Sequence, residues 1–579
     1  MKQPIDVLIV GAGPVGLFAA IELARYRPEL NFRIIDKQEK ISPFSRAFGL
    51  QPRTLETFLH SGIAEPFLTE GTYLKAMNIN NDNKIVATIP FLGQQYSAPF
   101  SQFPSVLVLS QSKTEVFLNE FLVQRTGRKV ERGVELIEYE QKEDRVIVKV
   151  KHKLRGDEEE LIEAKYLLGC DGAHSSVRKL DRNWKFDGVV VEGNFILADF
   201  VADDKCGLPE MISSLFPGLN SIGILPLGQP RHYRLVGNVN ESYRVINASS
   251  NTAVTHGISE HSNEYPKETP PLLEDIREYL DCSIPNHDII IKELKWSTFF
   301  RVNQRIVENY RHGRVFLCGD AAHCHSPVGA QGLNIGIQDA QCLAYKLSLV
   351  LNEHTSNSEA VLNSYSAERH PIASAVLQDT GLATKLFFSS LTRYLLGYLF
   401  SLLSFQRYFR SKMLQYSHHY SNSPLLLQTT IKQGALIKAG QYMPDEYIKL
   451  DFTGNTTSLF EALKDTRHHL LLFTSNTEVS SKNGIDALLS ITKRFKSSVR
   501  PVIVAYANML SGNQLNYLNS LDITVLLETR GDLHRAVGVK DREQALVLVR
   551  PDLYVGAAVK FPMEISVLVR FLLSYLKEE

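Results

Sequence analysis

Gly11, Gly13 and Gly16 stand in the order G-x-G-x-x-G, Pro14 lies inside the pattern, and an acid, Asp36, follows twenty residues after the last glycine. This spacing suits one chemistry: a pyrophosphate can lie against bare amides at a helix start while the carboxylate accepts hydrogen bonds from a ribose. Lys37, next to the acid, is placed in the same site. A dinucleotide is therefore expected, and the glycines alone do not separate NAD from FAD. Cys318, His323, Cys324 and His325 gather thiols and imidazoles, which zinc favours. They lack the paired half-sites of a zinc centre, so packing is expected of them and no metal.

The elements that must position these residues can be read from the same stretch. Residues 5–10 form a β-branched run ending in Gly11, residues 15–27 repeat apolar side chains at helical spacing, and residues 32–35 form a second strand delivering Asp36. Residues 111–125 read as a helix, and 134–140, 145–152 and 161–168 as antiparallel strands. Alternating strands dominate 189–295, including 221–226 and 232–239, around a polar insertion at 247–271. A buried strand returns at 314–318. Helical stretches then follow at 331–351, 359–380 and 383–405. The last part alternates again, with strands at 470–473, 502–505 and 524–527, helices at 485–494 and 512–518, a hairpin of 545–549 with 553–555, and a final helix at 565–577.

With 579 residues, 44% hydrophobic and 22% charged, the chain has globular composition and length for roughly three to four domains. Disorder, collagen and small disulfide scaffolds are excluded. Lysine plus arginine (63) balances aspartate plus glutamate (63), so no long-range field gathers nucleic acid. Six cysteines without a C-x-x-C pair suit a reducing compartment, read as the cytoplasm. The apolar start is broken by Asp6 and glycines, unlike a signal peptide. Residues 386–405 contain Arg393 and are flanked by Lys385 and Arg407, too short an uncharged run to span a bilayer. A packed helix or subunit face is expected there, with no integral membrane segment.

Residues 166–178 read YLLGCDGAHSSVR and residues 314–339 read RVFLCGDAAHCHSPVGAQGLNIGIQD. Here the chain resembles the flavoprotein aromatic hydroxylases, single-component FAD monooxygenases, over residues 1 to about 380. The C-terminal array resembles the thioredoxin-like domain of phenol 2-monooxygenases and polyketide hydroxylases, although no cysteine follows Cys342 to support dithiol chemistry. The resemblance implies that Asp171 and Gly172 serve FAD and a transient nicotinamide cofactor, that Arg178 closes their motif, and that Asp320, after Gly319, binds the FAD ribityl chain. It implies that amides at Leu333 and Asn334 face the flavin pyrimidine edge, and that Arg46 and Gln111 contact FAD. A reduced flavin is negative near its pyrimidine edge, which amides at a helix start would stabilise. Pro327, Gly329 and Gly332 would let the backbone pass close to the ring.

The expected fold is thus α/β. A discontinuous Rossmann-like FAD-binding domain (1–185 and 300–380) surrounds a substrate-binding antiparallel sheet (186–299, joined by about 75–110). A helical connector (381–445) and a thioredoxin-like domain (446–579) follow. The implied activity is hydroxylation of a small aromatic substrate, phenolic or polycyclic, through a flavin C4a-hydroperoxide formed with O2 and NADPH or NADH. A homodimer is expected. No side chain is compelled as catalytic base. Phe300, where fungal phenol hydroxylases carry a tyrosine, and His232, on a strand with Tyr233 and Arg234, are the substrate-pocket candidates. A halogenase is excluded because Trp184 and Trp296 are the only tryptophans. The alternative is a non-catalytic flavoprotein with a C-terminal interaction module.

Overall fold

The computed structural model describes residues 4–41, 47–81, 84–92, 101–190, 194–217, 220–239, 270–326, 331–387, 398–427, 437–450, 455–474, 478–507, 512–540, 543–562 and 564–579. The strand Ile5–Val10 is buried after its first residue. It runs parallel to Phe32–Asp36 on one side and to Glu158–Gly169 on the other, and Glu158–Gly169 pairs in parallel with Val315–Leu317. Burial on both faces explains why Ile5–Val10 and Val315–Leu317 read as largely apolar runs. Val146–His152 and Val134–Gln141 extend the sheet as an antiparallel meander.

Two helices cover this sheet where they cross closely. Pro14–Tyr26 begins with proline, whose missing amide costs nothing at that position. It meets Gly332–Leu351 at Gly336, where a Cβ would stand 2.6 Å from Val15 Cγ2. No larger residue fits that crossing.

The second sheet has seven strands in the order Ile291–Phe300, Asn194–Ala202, His232–Val239, Ile222–Pro226, Ile212–Phe216, Ala76–Asn81, Lys84–Pro90. Strands from the first hundred residues thus complete a sheet built mainly after residue 190. The helix Leu273–Ser283 covers one face through Ile276, Tyr279 and Leu280. Most of the 247–271 insertion lies outside the described residues.

Ser358–Phe387 is one continuous helix, where the sequence suggested two stretches separated near Gly381. That glycine does not break the helix. A Cβ there would stand 3.0 Å from Gln304 Oε1, so it serves close approach to the strand Asn303–Val307.

The C-terminal sheet runs in the order Thr456–Ser458, Tyr447–Lys449, Thr524–Glu528, Val499–Tyr506, His468–Phe473, Ala545–Val549, Val555–Lys560. Its three central strands are parallel, and the hairpin joins antiparallel at one side. One continuous core cluster links Val7 and Leu17 through Leu343 and Tyr345 to Leu470 and Leu572. The C-terminal unit therefore packs into the first unit rather than hanging from it.

Candidate active site

The register of the parallel strands defines the site. Val10 lies beside Ile35 and beside Gly169, and Gly169 lies beside Leu317. The chain therefore leaves the sheet at Gly11, Asp36, Cys170 and Cys318 along one carboxyl edge, the place where open α/β sheets bind dinucleotides.

The three glycines there do different things. Gly11 has φ +101°, and a Cβ on it would stand 2.4 Å from the Cys170 carbonyl oxygen; on Gly16 it would stand 1.9 Å from that of Gly11. These two glycines allow the turn itself. A Cβ on Gly13 meets no atom within 4 Å, and the helix it precedes has neither a side-chain cap nor an acid in its first turn. Open space in front of free helix amides is what a phosphate requires. Asp36 stands at the rim, its carboxylate accepting hydrogen bonds from Ala12 N (2.7 Å) and Gln38 N (2.7 Å), with Lys37 exposed beside it.

At the next strand end, Asp171 Oδ2 accepts from Ser176 N (2.6 Å) and Val177 N (3.2 Å). Its Oδ1 is buried without a hydrogen-bond partner among the described residues, and burial raises its pKa from the ordinary value. Gly172, at φ +77°, turns the chain away into open space. Arg178 is buried and donates to the carbonyls of Ala321 (2.6 Å) and Ala173 (2.7 Å). One guanidinium thus ties the 170s segment to the 320s segment.

The third strand end is held from below. Gly319, at φ +59°, donates its amide to Asp339 Oδ2 (3.1 Å), which also meets His323 Nε2 (2.8 Å), while Arg369 Nε donates to Asp339 Oδ1 (2.7 Å). Burial would raise the Asp339 pKa, but Arg369 and His323 hold it below the usual range. Asp320 is left exposed at the rim. The helix Gly332–Leu351 points an uncapped N-terminus at the same region. A Cβ on Gly332 would stand 3.3 Å from His325 Cε1 and 3.6 Å from Asp320 Oδ1. Among the described residues His325 Nε2 and Gln331 Oε1 are buried without partners, and burial lowers the His325 pKa to about 4, so its ring is neutral at pH 7.

Asn334 uses its side chain as a clamp. Its Oδ1 accepts from Gln51 N (2.8 Å) and Thr54 Oγ1 (2.7 Å), and its Nδ2 donates to Gly49 O (3.0 Å). Leu333 beside it is half-buried. Gln111 holds the adjoining segment, donating its amide to Ala47 O (3.0 Å) and accepting from Ala47 N (3.3 Å) on Oε1. Arg46, Pro327 and Gly329 lie outside the described residues.

A largely apolar sheet face adjoins the region through Met77 and Ile79. Met77, Ile79, Leu215, Val236, Leu197, Phe195 and Phe300 share the face opposite the Leu273–Ser283 helix. Met77 and Ile79 pack in one cluster with Phe48 and Val108, which adjoin the Ala47 and Gln111 contacts. Bare amides, glycine turns and buried polar atoms with no partner among the described residues thus lie at the strand ends, and the apolar sheet face adjoins them at Phe48 and Val108.

The family description "FAD binding domain" matches residues 4–380. A flavin-dependent monooxygenase of Mycobacteroides abscessus is 31% identical over 484 residues, covering 82% of this chain and 90% of the relative. The chain belongs to the flavin-dependent monooxygenases. In fold, this monooxygenase matches the crystal structure of the flavin-dependent monooxygenase PieE with FAD and substrate (TM-score 0.75, 19% identity, 99% of this chain and 100% of that one). It also matches aklavinone-11 hydroxylase in ternary complex with FAD and aklavinone (TM-score 0.73, 19% identity, 99% of each chain).

The monooxygenase fold brings Gly11, Gly13, Pro14, Gly16, Asp36, Asp171, Gly172, Gly319, Asp320 and Gly332 to one edge. It separates the two pocket candidates. His232 pairs with Val201 and Phe300 with Phe195, so the intervening strand keeps them about 20 Å apart. His232 contacts Pro230 O (2.9 Å) at the sheet end, whereas Phe300 is buried 5.5 Å from the Phe195 ring. Tyr233 bonds Leu208 O (3.0 Å), and the buried Arg234 forks onto Asp199 (2.7 and 2.8 Å). Sequence reasoning missed Asp339, Arg369 and the Asn334 clamp. Asp339 and Asn334 lie within the 314–339 motif, where a polar residue on an almost wholly buried helix is the available signal; Arg369 lies outside it.

Proposed function

We propose that this monooxygenase consumes NADPH or NADH with O2 to hydroxylate an aromatic substrate, phenolic or polycyclic. The observation that carries this reading is the apolar sheet face, from Met77 to Phe300, set against the glycine-lined strand ends. FAD fits those ends. Gly13 and the helix behind it would take the pyrophosphate, Asp36 with Lys37 the ribose, and Asp320 the ribityl chain. Amides at Leu333 and Asn334, on a helix with no side-chain cap and no acid in its first turn, would face the pyrimidine edge, and Gln111 and Arg46 are expected to contact FAD. When bound, the flavin supplies electron transfer from the nicotinamide and oxygen activation. The residues bind and orient it, and the apolar face excludes water from the reacting atoms.

By this reading residues 1–185 and 300–380 hold FAD, and residues 186–299 with about 75–110 cover the substrate. The 381–445 connector starts inside the Ser358–Phe387 helix. Residues 446–579 form a thioredoxin-like unit. Exposed Tyr447, Leu450, Tyr517 and Leu521 on that unit supply a surface for a homodimer. The six free cysteines accord with a cytoplasmic setting.

NADPH and NADH oxidation, followed with FAD-loaded protein across phenols and polycyclic aromatics, tests the reaction. At least one compound should accelerate flavin reduction and emerge hydroxylated. If none does either, the protein is a flavin carrier rather than a hydroxylase.

A further inference from the structure

Two glycines sit on neighbouring strands of the seven-stranded sheet, and only one of them has a packing reason. Gly237 faces the Leu273–Ser283 helix, where a Cβ would stand 2.2 Å from the Tyr279 hydroxyl. Gly223 faces the other way. A Cβ there would meet Leu215 Cδ2 (3.1 Å), the tip of a flexible side chain, and Val236 O (3.8 Å). Apart from these two ladder partners, no described residue comes within 4 Å of that position. The backbone of Gly223 is not left-handed, so the turn geometry that calls for glycine elsewhere is absent. Glycine inside a strand costs stability and commonly marks the close approach of a ligand or another backbone.

Position adds a second reason. The strand Ile222–Pro226 is fourth of the seven, buried towards the helix at Ile222 and Ile224 and half-buried at Gly223 and Leu225. Ladder pairing sets Ile79, Leu215, Gly223, Val236 and Leu197 in one row across five strands. An antiparallel sheet that meets water turns polar side chains outward, and this row has none. Leu215 and Val236, two strand spacings or roughly 10 Å apart, flank a notch floored by bare peptide. The first unit holds the sheet on both flanks of this central strand. Thr72–Tyr73, just before Ala76–Asn81, pairs with Leu107–Val108, and Asn303–Val307, just after Phe300, pairs with His323–Cys324. The turn that follows the central strand reaches the same unit, since a Cβ on Gly228 would stand 3.4 Å from Val108 O.

The half-buried Leu215, Leu225 and Val236 around the notch span three strands and two residue steps, roughly 10 by 7 Å, more than one phenol ring covers. From Ile79 to Leu197 the row holds no side chain to bond a hydroxyl, and in the next row Arg234 is committed to Asp199. We propose that Gly223 is a specificity-determining residue whose notch seats one ring of a planar fused aromatic substrate and so selects it over single-ring phenols. This rests on the assignment of the sheet to the substrate. In FAD-loaded protein Gly223→Val, a side chain suited to a strand, should lower kcat/KM for a hydroxyanthraquinone about tenfold or more, mainly through KM. The value for phenol should change less than about twofold, with FAD content unaltered, and Gly223→Ala should fall between. Equal losses for the two compounds, no loss for the hydroxyanthraquinone, or a wild type that favours phenol would overturn the proposal. Hydroxyanthraquinone binding, read by quenching of flavin fluorescence, should weaken by the same factor in Gly223→Val. That readout needs no turnover: binding without hydroxylation would refute the reaction and leave the notch standing, whereas no binding, or binding unchanged by the substitution, would refute the notch.

Discussion

The strand-end site and the contact between the first and C-terminal units are both rich in buried polar groups, and they treat them in opposite ways. At the strand ends, Asp171 Oδ1, His325 Nε2 and Gln331 Oε1 are buried without partners among the described residues, and two helix N-termini lack side-chain caps. At the unit contact the charges satisfy one another. Arg550 donates to Glu368 (2.7 and 2.8 Å) and to Asp552 (3.0 and 2.6 Å), and Lys346 pairs with Glu368. Cys342, Glu368 and Asp552 lie close enough to share a cation, but the arginine and lysine already occupy that role. The Tyr345, Tyr442 and Tyr575 hydroxyls are buried without a partner among the described residues there too, so the contrast lies in the charges: paired charges hold the units together, and unpartnered acceptors beside bare helix amides mark the place that awaits a ligand.

Removing one charge from the paired network should give the largest effect. Arg550→Met leaves Asp552 and part of Glu368 uncompensated in the interior, and denaturant unfolding should show a loss of about 3–5 kcal/mol. A loss below about 1 kcal/mol would mean the network is not the brace described here. The same contact contains one carboxyl met by neutral donors: Asp445 accepts from Gln102 Nε2 (2.6 Å) and Phe460 N (3.0 Å). Burial pushes its pKa to about 7. The unfolded carboxyl releases its proton near pH 4 whereas the folded one retains it to about 7. Stability therefore falls as pH rises through that window, by ~3–4 kcal/mol from this group, and levels off above it. Melting curves of wild type and Asp445→Asn between pH 4 and 8 should lie nearest one another at the acid end and separate towards the alkaline end.

The strand-end site should respond differently. Gly13→Ala meets open space, so the apoprotein's stability should stay within about 0.5 kcal/mol. FAD affinity should nonetheless fall at least about tenfold, ~1.4 kcal/mol, by fluorescence titration. Gly16→Ala, forced against the Gly11 carbonyl, should damage folding as well as binding. Phe300→Tyr gives the smallest change, a shift in preference among phenols with FAD affinity unaltered, read as kcat/KM ratios.

These contrasts explain what the sequence could reveal. Gly11, Gly16 and Asp36 are legible because turn geometry and the strand period act locally, within a few tens of residues. Arg550 and Glu368 are 182 residues apart, and no local pattern links them. The Asp339 and Arg369 pair escaped for the same reason, as did the division of labour among the glycines, which depends on how Cys170 crosses behind Gly11. Gly381 misled because a glycine in a helix signals either a break or a close contact, and only the neighbouring strand decides between them.

Heavy-oxygen labelling tests the central claim most directly. FAD-loaded protein given a nicotinamide cofactor, an accepted aromatic compound and isotopically heavy O2 should yield a product carrying one heavy oxygen atom, with normal oxygen from water excluded. Product oxygen drawn from water, or NAD(P)H consumed with every substrate oxygen count unchanged, would contradict the account.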